Sequence, residues 1–134
     1  MTKLTAIEGI GEANAAKLKG AGVKTVEALL EKAATKQGRQ ALAQATGIAD
    51  THILKWANHA DLFRIKGIGG EYAELLEAAG VDTVPELAQR NPENLYTKMK
   101  EVNAEKKLVR QLPTPQKVVD WVAQAKGLPR VMTY

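Results

Sequence analysis

Residues Ile7-Glu8-Gly9-Ile10-Gly11 recur, with one change, as Ile65-Lys66-Gly67-Ile68-Gly69. When residues 7–33 are aligned with residues 65–91, 12 of the 27 positions are identical. The identities continue beyond the glycines into the apolar positions that follow them, which indicates an internal repeat rather than a chance match of five residues. The repeat predicts two homologous units, residues 1–64 and residues 65–134.

Each pentapeptide predicts a tight turn that leads into a helix. Two glycines around one apolar residue allow backbone conformations that other residues avoid, and the central Ile10 or Ile68 is expected to point into the core. The backbone N–H groups near the start of the next helix are then left without partners, which makes a small site for an anion. The donors expected to face outward are those of Gly9, Gly11, Gly67 and Gly69. A Walker loop is excluded because the spacing is too short and no Lys-Ser/Thr follows, and a dinucleotide-binding loop is excluded because the third glycine and a preceding strand are missing.

The motif resembles the helix-hairpin-helix of DNA repair and recombination proteins. Shared features are the Ile-x-Gly-Ile-Gly turn, an alanine four residues after its second glycine, a later Ala-Gly-Val, and Thr-Val-x-x-Leu. Over its whole length the chain is similar to a bacterial family catalogued as domain of unknown function 4332. The resemblance implies tandem hairpins that contact nucleic-acid backbone, and it allows a monovalent cation on the hairpin carbonyls as the only cofactor.

The composition favours helices throughout. Alanine, leucine, lysine, glutamate and glutamine are abundant, whereas aromatic residues make up 4% of the chain. We therefore expect an all-α fold without a sheet, in which the two units pack as one compact domain with approximate two-fold symmetry. No Gly/Ser/Pro-rich linker separates the units.

The lack of cysteine and of long apolar segments narrows the cellular setting. The chain has no cysteine, which excludes disulfides and thiolate metal sites and fits a reducing compartment. The N-terminal residues contain no apolar signal core, and no apolar run approaches the ~18 residues of a membrane span. We expect a cytoplasmic protein with no membrane partner.

Capping signals predict eight short helices, four in each unit. The first unit is expected to contain helices over 12–21, 25–34, 36–45 and 50–62. In the second unit Thr83 and Glu86 predict a capping box, and Asn91-Pro92 and Thr114-Pro115 predict further helix starts. The offset between the copies grows from 58 to 65 residues, which places an insertion at about 103–111 as an extended or mobile loop.

Charge favours the first hairpin as the nucleic-acid contact. The formal charge is +3 over residues 1–64, −3 over residues 65–90 and +4 over residues 91–134. Carboxylates at a helix start repel phosphate, and Glu12 in the first copy is less unfavourable than Glu71, Glu74 and Glu77 in the second. The predicted nucleic-acid-binding residues are Gly9, Ile10, Gly11, Asn14, Lys17, Lys19, Gly67, Ile68 and Gly69.

Several features have an alternative, purely structural interpretation. The hairpins could serve only to join helices, and the lysines could be solvated surface residues. His52 and His59 are two helical turns apart, which is too far for a shared metal without a third ligand. Trp56 and Trp121 repeat in register and are interpreted as core anchors rather than platforms for base stacking.

The favoured function is non-enzymatic. No paired carboxylates, catalytic lysine or metal cluster is visible, so we predict weak, sequence-independent binding of duplex DNA through the first hairpin. The alternative is a protein-interaction or scaffold module that has lost phosphate binding. The apolar tail Val131, Met132 and Tyr134 could mediate self-association or pack back on its own domain.

Overall fold

The chain is all-helical, as predicted. The structure is a computed structural model that describes residues 1–134, and it contains no strand, only an isolated bridge between Lys3 and Thr25. A short 3-10 helix, Leu4–Ala6, precedes eight α-helices: α1 Glu12–Gly20, α2 Val26–Ala33, α3 Lys36–Thr46, α4 Asp50–Leu62, α5 Gly70–Ala78, α6 Val84–Ala88, α7 Pro92–Lys106 and α8 Pro115–Lys126. None of these helices is both long and apolar enough to span a membrane.

Contacts divide the chain into two compact units. The first unit comprises Met1–Asp61 with Val131–Tyr134, and the second comprises Leu62–Arg130. The predicted boundary after residue 64 lies close to this division, but the C-terminal tail was expected in the second unit and instead belongs to the first. That the two units pack into one symmetric domain remains a prediction.

The first unit, containing α1–α4, has an apolar core that includes Trp56, as the sequence predicted. Leu18, Leu29 and Ile53 are each fully buried, and Trp56 is 4% exposed. Helices α2 and α3 pack against each other. Arg39 of α3 is buried as well, and its guanidinium Nη1 donates to the carbonyl oxygens of Ala33 (3.0 Å) and Ala34 (3.2 Å) at the end of α2.

The second unit buries its apolar residues in a single core. Helix α8 packs against both α6 and α7, and α5 packs against α7. Trp121 and Val122 of α8 are each 2% exposed, and Leu76 and Leu87 are fully buried. Trp121, which the offset of 65 residues pairs with Trp56, is therefore a core residue as predicted.

The two Gly-Ile-Gly turns have the same backbone geometry. In the first turn (residues 7–11) Gly9 has φ +93°, and in the second turn (residues 65–69) Gly67 has φ +97°. The central Ile10 and Ile68 are 4% and 5% exposed. A positive φ of this size is accessible to glycine and strained for other residues, which explains why the first glycine of each turn recurs. The expectation that the middle isoleucine points inward is confirmed.

Four of the helix starts are capped by a side chain. The side chains of Thr25, Thr35, Asn91 and Thr114 each accept a hydrogen bond from the N–H three residues later. The capping box predicted at Thr83 is wrong in detail, because the Thr83 hydroxyl donates to Glu86 Oε1 (3.1 Å) instead of accepting from the backbone. Glu86 Oε2 accepts from the N–H of Asp82 (3.4 Å), one residue before the position that a capping box requires.

The insertion in the second unit is partly helical and closely tied to α7. Helix α7 continues to Lys106, and Lys107 ends it in a left-handed conformation with φ 53°. The Asn103 side chain then accepts from the N–H of Val109 (2.9 Å) and donates to its carbonyl oxygen (3.1 Å). The segment predicted as an extended or mobile loop is thus held to the helix by both polar atoms of one amide side chain.

Candidate nucleic-acid interface

Both turns carry amide donors that the chain does not use. In the first turn the N–H of Ile10 donates to the carbonyl oxygen of Ile7 (3.1 Å), and in the second the N–H of Ile68 donates to Ile65 (3.2 Å). No acceptor in the chain takes the N–H groups of the predicted donors Gly9, Gly11, Gly67 and Gly69. All four of these glycines are exposed. Each turn therefore presents free backbone donors at the surface.

The central isoleucines cannot contact a ligand directly. Ile10 and Ile68 were included among the predicted binding residues, and both side chains lie in the core. Their contribution is to hold the turn in place. Within each turn, a direct contact with a phosphate would therefore have to come from the backbone of the flanking glycines.

A tryptophan from a distant helix supports each turn. The indole Nε1 of Trp56 lies 3.2 Å from the point where a Cβ on Gly9 would sit, and Nε1 of Trp121 lies 3.0 Å from the same point on Gly67. Each first glycine is therefore required both for its positive φ and for the space that the indole occupies. The sequence shows the paired tryptophans and the paired glycines, but not that they meet.

The lysines predicted near the first turn separate into two groups. Lys19 lies with Lys3 and Lys24 around a pocket of about 310 Å³, and Glu12 lines the same pocket. Lys17 is exposed elsewhere on α1 and does not line it, and Asn14 is half-buried outside it. We call Lys3, Lys19 and Lys24 the lysine cluster.

The N-terminal segment is held in place by hydrogen bonds to α2, which brings Lys3 close to Lys24. The N–H of Val26 donates to the carbonyl oxygen of Thr2 (2.9 Å). Glu27 accepts from the Thr2 N–H (2.8 Å) and from its hydroxyl (2.9 Å). The backbone hydrogen bond from Thr2 is the main cause that lowers the pKa of Glu27; burial opposes it, and the hydrogen bond from the Thr2 hydroxyl lowers the pKa by a smaller amount.

The second turn has a different set of neighbours. The Gln124 side chain of α8 forms hydrogen bonds to the backbone of Lys66, the residue before Gly67. Its Oε1 accepts from the Lys66 N–H (2.9 Å), and its Nε2 donates to the Lys66 carbonyl oxygen (3.3 Å). Arg110, from the insertion, lines a pocket of about 430 Å³ together with Gly67 and Gly69. The count of charges along the sequence did not identify Arg110 as a neighbour of this turn, because Arg110 lies 41 residues after Gly69.

The histidines do not form a metal site with other residues. His52 is exposed and its ring stacks on Trp56 with centroids 5.8 Å apart, whereas His59 is fully buried. No group of three His, Asp or Glu side chains is arranged to hold a metal ion. Both tryptophans are buried, which agrees with their interpretation as core anchors.

Comparison with known proteins places the chain in a family. Searches of curated proteins and of solved structures gave no significant match. Residues 8–128, which include both Gly-Ile-Gly sequences and all eight α-helices, match the family model described as Domain of unknown function (DUF4332), and the chain therefore belongs to this family.

Proposed function

We propose that the chain is a non-enzymatic helix-hairpin-helix module that binds nucleic-acid backbone weakly and without sequence preference, mainly through the first turn. The observation that carries this proposal is the lysine cluster beside the first helix start, whose turn also offers the unused amide donors of Gly9 and Gly11. Amide donors at a helix start and lysine ammonium groups both bind phosphate oxygens, and neither reads base sequence.

The balance of charge around the first turn sets the expected strength. Three lysines and Glu12 give the pocket a local formal charge of +2, and Glu8 is exposed within the turn itself. The carboxylates reduce the attraction for phosphate, so binding should be weak and evident mainly at low salt. If about three phosphates are engaged, log affinity should fall against log salt with a slope of roughly −3.

The test is a titration of the full chain with a fluorescently labelled DNA duplex at several salt concentrations. In the double variant Lys19→Gln/Lys24→Gln, affinity should fall and the salt slope should change from roughly −3 to roughly −1, because two of about three phosphate contacts are lost. The matched control is Lys32→Gln/Lys36→Gln, which removes the same charge from exposed lysines outside the cluster and should leave the slope near −3.

A protein-interaction or scaffold module is the second candidate. The exposed carboxylates of Glu8 and Glu12 beside the first turn favour it, because they oppose phosphate at the very position where the amides would bind it. This candidate predicts no duplex binding even at low salt, together with self-association or a protein complex in sedimentation. Clear DNA binding by a strictly monomeric chain would count against it.

A further inference from the structure

We propose that a pocket in the first unit binds a small organic acid, whose carboxylate pairs with an unused edge of the Arg39 guanidinium. The pocket has a volume of about 300 Å³, and its lining includes Lys36 and Arg39 of α3, Asp50 and Leu54 of α4, and Tyr134 of the C-terminal tail. A cavity of this size holds a small organic molecule. None of these residues belongs to either turn or to the lysine cluster, so a ligand here is independent of the proposed binding of DNA.

The Arg39 side chain is fixed in place by the end of α2. It is 5% exposed, and its Nη1 atom donates to the carbonyl oxygens of Ala33 (3.0 Å) and Ala34 (3.2 Å). Helix α3 begins very close to α2, since a Cβ on Gly38 would overlap the carbonyl oxygen of Lys32. The guanidinium is therefore held in one orientation before any ligand binds, which lowers the entropic cost of binding.

One edge of the Arg39 guanidinium has no partner in the chain. Nη1 donates to the two carbonyls of α2, whereas no acceptor in the chain takes the N–H groups of Nε and Nη2, and no carboxylate forms an ion pair with Arg39. Neither nitrogen is sealed from solvent. Because buried polar groups almost always have partners, a buried guanidinium with an unused edge at a pocket indicates an acceptor from outside the chain. Nε and Nη2 present two parallel N–H groups, which match the two oxygens of one carboxylate.

The tail supplies an aromatic wall beside the guanidinium. The guanidinium carbon of Arg39 lies over the Tyr134 ring, 5.5 Å from its centroid, and the Tyr134 hydroxyl donates to Asn58 Oδ1 (3.1 Å). Stacking uses the face of a guanidinium and hydrogen bonding uses its edge, so the ring and a carboxylate can contact Arg39 together. Leu54, which is half-buried, adds a second apolar neighbour. The pocket therefore favours a carboxylate that is attached to an apolar group.

The charges of the lining select an acid with a single negative charge. Two cations, Lys36 and Arg39, and one carboxylate, Asp50, give the pocket a formal charge of +1. A monocarboxylate balances this charge, whereas a dianion leaves an excess of negative charge near Asp50.

The experiment titrates the ¹⁵N-labelled full chain with small probes at one ionic strength and follows the Nε–H signal of Arg39 by NMR. Benzoate is the main probe, because it joins a carboxylate to an apolar ring. Acetate keeps only the carboxylate, benzyl alcohol keeps only the ring, and inorganic phosphate is the competing anion. The Arg39 signal is identified by its loss in Arg39→Lys. We expect benzoate to move this signal to saturation, acetate and phosphate to bind about tenfold more weakly, and benzyl alcohol to leave the signal in place.

Variants separate the contribution of the guanidinium edge from that of the aromatic wall. Arg39→Lys keeps the charge and loses the paired N–H groups, so benzoate should bind about tenfold more weakly, as measured by the backbone amides of Thr51 and Leu54. Tyr134→Ala leaves Arg39 in place and should weaken benzoate about fivefold, with acetate unchanged. The matched control, Arg110→Lys, replaces an exposed arginine outside the pocket and should leave benzoate binding unchanged.

Several results would overturn the site. They are the absence of a saturable response of the Arg39 signal to benzoate, an equal response to benzyl alcohol, and phosphate binding as tight as that of benzoate. Equal benzoate affinity in Arg39→Lys and Arg110→Lys overturns it as well. If Arg39→Lys loses its dispersed amide signals and hence its fold, Tyr134→Ala decides, and benzoate affinity equal to that of Arg110→Lys overturns the site.

Discussion

Gly9 combines two constraints at one position. Its φ of +93° is strained for any residue with a Cβ, and a Cβ there would also lie 3.2 Å from Nε1 of Trp56. Gly22 has a similar φ of +90° with no atom near its Cβ position, and Gly11 has neither constraint. A comparison of substitutions at these three glycines therefore distinguishes the effect of backbone strain from that of steric contact within one unit.

The first prediction uses these glycines as a series of alanine substitutions. Gly9→Ala should destabilise the first unit by about 2 kcal/mol and Gly22→Ala by about 1 kcal/mol, because only the former adds a contact to the strain. Gly11→Ala should change stability by less than about 0.5 kcal/mol. Amide hydrogen exchange at Leu18 and Leu29 measures the effect on this unit, and equal losses for Gly9→Ala and Gly11→Ala would contradict the assignment.

The second prediction concerns the pH dependence of Glu27. Hydrogen bonds from Thr2, the backbone one first, lower its pKa in the folded chain. A lowered carboxylate pKa stabilises the fold above the unfolded value of about 4.3, and this contribution disappears as the pH falls through the folded value. An NMR titration of the Glu27 carboxyl carbon should therefore show a midpoint below about 4.3.

Two variants identify the hydrogen bond responsible. Thr2→Ala removes the hydroxyl and keeps the N–H, so most of the shift in the Glu27 pKa should remain. Thr2→Pro removes the N–H and should bring the pKa back toward its ordinary value. If Thr2→Ala alone abolished the shift, the backbone hydrogen bond could not be its main cause.

Among the elements, α7 and the segment after it show how one side chain controls a loop. The Asn103 side chain forms hydrogen bonds to both the N–H and the carbonyl oxygen of Val109. The segment that it holds connects α7 to α8, whereas in the first unit a shorter segment connects α3 to α4. The residues between these anchors carry Lys106 and Lys107. Both lysines are exposed. Because Val109 is held in place, the positive charge of the insertion has a defined position on the surface.

The third prediction tests this anchor. Asn103→Ala should destabilise the second unit by about 1–2 kcal/mol, because it breaks two hydrogen bonds to partly buried backbone groups. Hydrogen exchange at the Val109 amide should become faster by a larger factor than exchange in α8. The control is Asn94→Ala on the same helix, whose exposed side chain should matter little. Unchanged exchange at Val109 would show that the loop is held by other contacts.

At the scale of the molecule, the C-terminal tail contributes to the unit formed by the start of the chain. Met132 is 1% exposed, and the Thr133 N–H donates to the carbonyl oxygen of Ala34 (2.8 Å). The Tyr134 hydroxyl donates to Asn58 Oδ1 (3.1 Å), and its ring lies 5.5 Å from the Arg39 guanidinium. Of the two roles considered for the tail, the structure shows it packed within the chain, and self-association remains a prediction.

The fourth prediction follows from the position of the tail. Deleting residues 131–134 should destabilise the first unit by about 2–3 kcal/mol, mainly through loss of the buried Met132 side chain. Protection against hydrogen exchange should fall for the amides of α2 and α3, whereas those of α7 and α8 should change little. A milder variant, Met132→Ala, should show the same pattern. Loss of protection confined to the second unit would mean that the tail belongs there after all.

The sequence by itself determined the features that depend on local chemistry. The helix positions followed from caps such as Thr25 and Asn91, and the inward direction of Ile10 and Ile68 followed from glycines on either side of one apolar residue. These features depend on backbone conformation and on apolar spacing within a few residues, which are visible in any stretch of the chain.

Only the tertiary structure decided which distant groups meet. It placed Trp56 against Gly9, grouped Lys19 with Lys3 and not with Lys17, and brought Arg110 to the second turn. It also showed that the C-terminal tail belongs to the first unit and not, as predicted, to the second. Such contacts depend on how whole helices pack, because packing can join residues far apart in the chain and separate neighbours on one helix, and charge counted along the sequence carries no information about either.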